Sequence, residues 1–271
     1  MLVSARGRLG LRIATGLVLA FLYVPLIVVT VLSFSSSKTF TWPPPGLSLQ
    51  WWRLAWHEPG PRAALVTSLK VALAATLIAL VLGSLASLAV QRFRFFGRNT
   101  VSLLLVLPIA LPGIVTGVAL NAGFQQAGVQ LSFLTLIVAH ATFCIVVVFN
   151  NVIARLRRLA PNVDEASADL GADLFQTFRY VTFPLARSAL LAGGLLAFAL
   201  SFDEIVVTTF TAGPGIQTLP QWIFNNLFRP NQLPTVNVVA VVVIALSIIP
   251  VYFSQRLSAD PTGGLTAEED V

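Results

Sequence analysis

Six long apolar stretches alternate with short polar segments along the chain. Each stretch contains about the 20 helical residues that are needed to cross the hydrocarbon core of a bilayer. They lie at approximately 13–34, 69–90, 101–124, 131–153, 185–210 and 236–253. The pattern predicts an all-α fold, a polytopic membrane helix bundle in which six transmembrane helices form a single domain over residues 1–271.

Composition restricts the chain to membrane proteins. Hydrophobic residues make up 56% of it and charged residues only 10%, whereas a soluble domain carries about 25% charged residues. The single cysteine, Cys144, lies inside an apolar stretch, which excludes a disulfide and a cysteine-based metal site. The two histidines, His57 and His140, are far apart, so no metal site is expected.

The basic residues define an orientation in the membrane. A net charge of +6 suggests nucleic-acid binding at first. However, the basic residues lie between the apolar stretches, so topology accounts for them and we expect no nucleic-acid partner. If the sides alternate, 12 of the 17 Lys and Arg residues fall on one side and 5 on the other. Cytoplasmic segments carry such an excess, which predicts cytoplasmic termini and a cytoplasmic segment 155–187.

The first external loop is rich in tryptophan, with Trp42, Trp51, Trp52 and Trp56. Tryptophan favours the membrane–water interface, where its ring is buried and its N–H is hydrated. Leu49, Trp52 and Trp56 share one face at helical spacing. The loop is therefore predicted to contain a short helix that lies on the outer surface of the membrane.

Residues 155–187, here called the signature segment, join the fourth and fifth apolar stretches and hold four of the chain's eleven acids. Asn162 is a candidate N-cap, and Glu165 three residues later can reach back to its backbone in a variant of the capping box. A short helix is predicted over 163–170, and Gly171 can end it.

A second helix is predicted within the same segment, over about 172–181. It places Leu174, Phe178 and Val181 on one face at spacings of four and three residues. The dipeptide Phe183-Pro184 is expected to close this helix before the next apolar stretch begins.

The signature segment resembles the cytoplasmic signature of the inner-membrane permeases of type I ABC importers. That signature is Glu-Ala-Ala, three residues, Gly, nine residues and Ile-x-Leu-Pro. Its full spacing is kept here by Glu165-Ala166-Ser167, Gly171 and Val181-Thr182-Phe183-Pro184. Three positions depart by mild changes of size, namely Ser167, Val181 and Phe183.

The resemblance implies the type I ABC importer permease fold, with a cytoplasmic coupling helix between spans four and five. It also implies a set of residues that couple the chain to an ATPase: Asn162, Asp164, Glu165, Ala166, Ser167, Ala168, Asp169, Gly171 and Pro184. The alternative is an ordinary capped loop helix that only shapes a turn.

Two adjacent acids, Asp203 and Glu204, lie well inside an apolar stretch. An aspartate at the centre of a span costs about 2.5–3.5 kcal/mol on insertion scales, so such residues usually face a partner or a water-filled path. One hypothesis is that they attract a cation in a translocation path. The other is that they lie near the outer end of span five and cap the next segment or pair with a neighbour.

Span three contains Pro108, Pro112, Gly113 and Gly117. Proline removes a backbone donor, and irregular backbone at membrane depth is tolerated where it is buried or lines a cavity. The two glycines also form a close-packing GxxxG face. The expected substrate-pathway residues are Phe202, Asp203, Glu204, Pro108, Pro112 and Gly113. His140, in span four, is expected to form hydrogen bonds between helices.

Residues 107–115 and 199–204 resemble the polyamine (spermidine/putrescine) branch of these permeases, specifically its second permease subunit. The resemblance implies a complex in the bacterial cytoplasmic (inner) membrane with a second homologous permease, an ABC ATPase dimer and an extracytoplasmic solute-binding protein. The chain has no G-x-x-x-x-G-K-[ST] phosphate loop. We therefore expect that the chain is not an enzyme and binds no cofactor. ATP and Mg²⁺ are expected on the partner ATPase.

Three other functions are compatible with parts of the pattern. The nearest is the same importer carrying an amino-acid derivative, a thiamine-like cation or a metal chelate. A secondary carrier or channel subunit would lack an ATPase partner and would leave the signature segment unexplained. An intramembrane hydrolase would need a nucleophile and a base within the bilayer, and the sequence has neither G-x-S-x-G nor H-E-x-x-H.

Overall fold

The computed structural model describes residues 5–159, 162–229 and 232–258, and within them the fold is helical apart from one isolated β-bridge between Ser35 and Leu47. A π-helical stretch, Phe178–Thr182, joins two of the α-helices. The α-helices are α1 Ala5–Ser33, α2 Gln50–His57, α3 Pro59–Arg92, α4 Arg98–Ala110, α5 Gly113–Gln126, α6 Phe133–Leu156, α7 Val163–Asp169, α8 Leu174–Thr177, α9 Phe183–Asp203, α10 Val206–Thr211, α11 Leu219–Leu227 and α12 Leu233–Ser258.

Four helical segments of the described chain are long and apolar enough to cross a membrane. They are Gly7–Ser33, Pro59–Arg92, Phe133–Leu156 and Leu174–Asp203. The sixth predicted span lies in α12, where the apolar helix with described side chains, Leu233–Ile248, is shorter than these four. Length and composition alone therefore make these four segments of the described chain candidates for crossing a membrane.

The third predicted span, 101–124, is divided into two helices by a break at its second proline. Leu111 has φ −85° and ψ 144°, which ends α4, and Pro112 has φ −55° and ψ 135° before α5 begins. The physical reason is local, because a residue that precedes proline is driven out of the α region by the proline ring. Two helices of 13 and 14 residues replace the single span.

The predicted span 185–210 also differs from the structure, at both ends. Helical structure begins earlier, at Leu174, and runs through the π-helical stretch into α9. It then breaks after Asp203, where Glu204 is extended with φ −73° and ψ 121°, and α10 follows.

The chain contains two compact units, residues 1–61 with 223–271 and residues 62–222. In the first unit α12 packs on α1 and α2. The short helix predicted in the first external loop is confirmed as α2. Trp51 is buried there and its Nε1 donates to the carbonyl of Ser35 at 2.8 Å, while Trp52 stacks on Phe34 with ring centroids 5.2 Å apart.

The second unit is built around α6, in which more than half of the residues are buried and which packs closely against α9. Small residues allow this approach, as is common between membrane helices. A Cβ on Gly193 of α9 would lie 3.3 Å from Cα of Val148 in α6. Close approach also occurs between α3 and α6, where a Cβ on Gly83 would lie 2.9 Å from the carbonyl oxygen of Ile145. The helices of this core therefore pack with their backbones close together at the glycines, as well as through large side chains.

Candidate functional site

The short helix predicted in the signature segment is present as α7, but its start is not capped as expected. Asn162 occupies the N-cap position with φ −93° and ψ 4°, and its side chain makes no capping hydrogen bond. A capping side chain normally requires extended backbone at that residue. Asn162 is nearly helical instead, so the predicted capping box with Glu165 is wrong.

The end of α7 is a Schellman motif centred on Gly171, as the sequence predicted for a terminating glycine. Gly171 has φ +80°. Its N–H donates to the carbonyl of Ala168 at 2.8 Å, and the N–H of Ala172 donates to that of Ser167 at 3.1 Å. These are the 5→2 and 6→1 bonds of the motif. A side chain at this position would impose backbone strain, because left-handed φ is unfavourable for residues other than glycine.

Ser167, one of the departures from the family signature, fixes α7 against the next turn. It is buried, and its Oγ lies 3.0 Å from Oγ1 of the buried Thr177. An alanine at this position could not make that bond. The change is therefore accommodated by a polar contact inside the segment.

Sequence reasoning missed the residue that starts α8. Asp173 is its N-cap, with Oδ1 accepting from the N–H of Gln176 at 2.7 Å. In return the Gln176 side chain accepts from the N–H of Asp173 at 2.9 Å. The pattern Asp-x-x-Gln is an acidic form of the capping box and was visible in the sequence.

The prediction that Phe183-Pro184 closes the second helix is wrong. The N–H of Phe183 donates to the carbonyl of Phe178, a π-type bond, and α9 starts at Phe183 without a gap. Pro184 is tolerated because it lies in the first turn of α9, just after the π stretch has interrupted the α-type bonding. The signature segment is therefore joined to α9 by continuous helix.

Most of the predicted coupling residues lie on the surface of this chain. Glu165, Ala166, Ala168 and Asp169 are exposed on α7, and the backbone of Asp164 lies in the same helix although its side chain is outside the described part. The structure brings these residues together on one short helix, with Gly171 at its end. Pro184 is exposed further along the chain, at the start of α9.

Four large apolar or aromatic side chains are exposed from the end of α7 into the π-helical stretch. Leu170 is 89% exposed, Phe175 is 72% exposed and Tyr180 is 74% exposed, and Leu174 beside them is also exposed. We call these four residues the α7–α8 apolar surface. Large apolar side chains exposed to this degree are candidates for contact with a partner.

The two membrane acids occupy different environments at the break between α9 and α10. Glu204 caps α10, with Oε1 accepting from the N–H of Val207 at 2.8 Å. Asp203 is exposed on this chain and makes no hydrogen bond or ion pair with the side chains that the structure describes. Capping was one of the two sequence-based hypotheses, and for Glu204 the geometry has this form. The pathway role of either acid remains a prediction.

His140 forms the expected hydrogen bonds between helices, next to the same break. It is fully buried, with Nδ1 at 2.8 Å from Oγ of Ser201 and Nε2 at 2.9 Å from Oγ1 of Thr208. The single hydroxyl proton of Thr208 goes to the carbonyl of Glu204 at 2.8 Å. Thr208 therefore accepts from Nε2–H, and in a neutral ring Nδ1 accepts from Ser201. His140 of α6 therefore forms hydrogen bonds with α9 before the break and with α10 after it.

The break between α4 and α5 is close to the break between α9 and α10. A Cβ on Gly113 would contact Val206 at 3.6 Å, and one on Gly117 would lie 2.8 Å from Cδ2 of Phe210. Asn121 Nδ2 also donates to the carbonyl of Phe210 at 2.6 Å. The contact between α5 and α10 therefore requires the glycines that the sequence placed on a close-packing face.

The other predicted pathway residues have distinct places. Pro112 is the residue immediately before α5, and Pro108 lies within α4 and is half-buried. Phe202 is half-buried and stacks on Phe198, with ring centroids 6.0 Å apart. Of the predicted pathway residues outside the break, Gly113 lies next to it, because Gly113 is close to Val206 at the start of α10. The break itself follows Asp203 and includes Glu204.

Comparison with known proteins agrees with the resemblance seen in the sequence. The chain is 35% identical over 250 residues to the spermidine/putrescine transport system permease protein PotC of Escherichia coli strain K12, covering 92% of this chain and 94% of that protein. It is 34% identical over 232 residues to the putrescine transport system permease protein PotI of the same strain, covering 83% of this chain and 82% of that protein.

A solved structure has a similar fold. It is that of a bacterial ABC transporter involved in the import of the acidic polysaccharide alginate, with a TM-score of 0.74, 16% identity, and coverage of 96% of this chain and 100% of that chain. Residues 75–260 match the family described as binding-protein-dependent transport system inner membrane component. The identification made from the signature segment is confirmed, and the chain belongs to this family of inner-membrane permeases.

Proposed function

We propose that the chain forms half of the translocation pathway of an ATP-driven importer for a small cationic solute, a polyamine such as spermidine or putrescine. The similarity to PotC and PotI, which belong to spermidine/putrescine and putrescine transport systems, supports this solute class. The exposed Asp203 supports it as well, because it is an acid inside an apolar stretch with no partner among the described side chains. Such a carboxylate can attract an ammonium group once the second permease encloses the path.

The coupling role of the signature segment rests on one observation above all, its continuous helical connection to α9. The Ser167–Thr177 contact links α7 to α8, and from α8 the helical segment continues without a gap to Asp203. We infer that α7 is the coupling helix and that the α7–α8 apolar surface docks in a groove of the ATPase. ATP-driven closure of the ATPase dimer would then move the acid-bearing end of α9.

The remaining parts of the machine are proposed to lie on other chains. ATP and Mg²⁺ bind the ABC ATPase dimer, a second homologous permease supplies the other half of the path, and an extracytoplasmic solute-binding protein delivers the solute. This chain acts as a single permease domain with six crossings, in which α4 with α5 and the whole of α12 supply the third and sixth. The Lys and Arg distribution supports the proposal that both termini are cytoplasmic.

Topology is testable by cysteine labelling in whole cells. Cys144 is buried, so a single cysteine introduced on the surface is expected to dominate labelling. Ser36→Cys should react with a membrane-impermeant maleimide added outside, and Asn162→Cys should react only after the membrane is opened. Both side chains are exposed in this chain, which makes the pair comparable. The reverse labelling pattern would contradict the orientation and the coupling proposal together.

The solute class is tested by ATP hydrolysis of the assembled importer with its binding protein. Spermidine and putrescine are expected to stimulate hydrolysis, whereas thiamine, an amino-acid derivative and a metal chelate are not. Stimulation by one of the latter instead would keep the importer assignment and overturn the polyamine assignment. A chain that never co-purifies with an ATPase would overturn both.

A further inference from the structure

The turn between α3 and α4 contains three arginines and three phenylalanines within seven residues. Its sequence from 92 to 98 is Arg-Phe-Arg-Phe-Phe-Gly-Arg. Gly97 has φ +82°, which reverses the chain so that Arg94 and Arg98 line the same surface depression, about 920 Å³ in volume. Phe95, Phe96 and Thr100 also line it. Neither the signature segment nor the proposed substrate path uses this site.

The positive charge of this depression is not compensated by a carboxylate in the part of the chain whose side chains the structure describes. No Asp or Glu occurs between Glu58 and Asp164. Neither Arg94 nor Arg98 pairs with a carboxylate among the side chains that the structure describes. Guanidinium groups bind phosphate oxygens with well-matched geometry, so the chemistry of the depression favours a phosphate group.

The aromatic residues indicate which kind of molecule carries that phosphate. Phe93, Phe95 and Phe96 are all exposed, and Phe96 is fully so. The turn directly follows the apolar α3 and precedes the apolar α4, so it lies where a membrane-spanning helix leaves the bilayer. Exposed rings at this depth insert among lipid chains, while arginines beside them reach the headgroups.

We propose that Arg94 and Arg98 bind the phosphate of an anionic phospholipid in the leaflet on this side of the membrane, with Phe93 and Phe96 seated among its acyl chains. The site anchors the turn, and with it the end of α3 and the start of α4, at a fixed depth in the bilayer. The inference rests on the proposed membrane placement of α3 and α4, but on neither the ATPase contact nor the transported solute.

The test is native mass spectrometry of the full chain, equilibrated in mild detergent with equimolar palmitoyl-oleoyl phosphatidylglycerol and phosphatidylcholine. The wild-type chain is expected to retain phosphatidylglycerol preferentially. A basic residue near an anionic surface contributes about a fivefold gain in affinity, so Arg94→Gln with Arg98→Gln should lower the preference by about 25-fold. A wild-type chain that binds the two lipids equally would overturn the proposal.

A matched control separates this site from the general positive charge of the same side. Arg157→Gln with Arg158→Gln removes the same charge from two exposed arginines that have no aromatic neighbour in sequence. This pair is expected to keep the wild-type lipid preference. An equal loss in both double variants would mean that any arginine pair suffices, which contradicts a site built from Arg94 and Arg98.

A soluble headgroup distinguishes a lipid site from a phosphate site. Millimolar glycerol phosphate is expected to leave the bound phosphatidylglycerol in place, because it lacks the chains that contact Phe93 and Phe96. Displacement by glycerol phosphate would overturn the lipid assignment. Loss of the lipid preference while polyamine-stimulated ATP hydrolysis persists would leave the proposed function intact. A persistent lipid preference without such hydrolysis would contradict the proposed function alone.

Discussion

Gly171→Val is expected to reduce substrate-stimulated ATP hydrolysis of the reconstituted importer to its basal rate and to abolish transport. Gly171 ends α7 in a Schellman motif with φ +80°, and no atom lies within 4 Å of an added Cβ. The damage is therefore conformational. Left-handed backbone costs an ordinary residue about 1–2 kcal/mol, and a β-branched residue is an outlier there, so the end of α7 should unwind. The α7–α8 apolar surface would then lose its shape.

Two control variants separate backbone strain from other effects. Gly171→Asn should retain coupling, because asparagine tolerates the left-handed region. Gly215→Val imposes the same kind of strain elsewhere, since Gly215 has φ +75° and open space around it. It is expected to keep coupling. Uptake and ATP hydrolysis in reconstituted vesicles, with a pull-down of the ATPase, give the readouts. Wild-type coupling in Gly171→Val would mean that the signature segment is only a connector.

Asp203→Asn is expected to raise the polyamine concentration needed for half-maximal uptake by about 10- to 100-fold. A hydrogen bond to a charged group contributes about 1.5–3 kcal/mol, which corresponds to that range. Because Asp203 is exposed on this chain and caps no helix, the amide should fit without disturbing the fold. Basal ATP hydrolysis and assembly of the complex should therefore remain near wild type. Unchanged uptake kinetics would remove Asp203 from the pathway.

The neighbouring acid provides the comparison. Glu204→Gln keeps an oxygen that can accept from the N–H of Val207, so it should preserve α10 and change uptake less than Asp203→Asn does. Glu204→Ala removes the cap and should cost about 1 kcal/mol of stability. It should therefore appear as a lower melting temperature of the full chain in detergent. A larger transport defect in Glu204→Gln than in Asp203→Asn would reverse the roles assigned to the two acids.

The sequence predicted the parts of the fold that depend on long apolar runs and on special backbone residues. The run over 69–90 lies in α3, and the run over 131–153 lies in α6 apart from its first two residues. Gly171 ends α7 as expected, because a glycine just after a helical pattern commonly adopts the left-handed conformation that terminates a helix. The family signature located the same segment from its spacing alone, without any knowledge of packing.

The differences arise where a local signal competes with tertiary contacts. The break after Asp203 is marked by no glycine or proline, since residues 199–207 contain neither, and its only signal was that the two acids could cap a following segment. It is held by the Glu204 cap and by the contact of His140 with Thr208, which joins residues 68 apart in the chain. Pro184 predicted a helix end, but the π stretch Phe178–Thr182 allows the helix to continue. The local sequence does not indicate that a π-helical stretch will accommodate the proline.

The most direct test of the account is uptake of radiolabelled spermidine into proteoliposomes that contain this permease, its partner permease and the ATPase dimer, with the solute-binding protein outside. The account predicts accumulation only when hydrolysable ATP is enclosed, competition by unlabelled putrescine, and loss of accumulation in Gly171→Val but not in Gly171→Asn. Accumulation driven by an ion gradient without ATP, or no accumulation of any polyamine while another solute is imported, would contradict it.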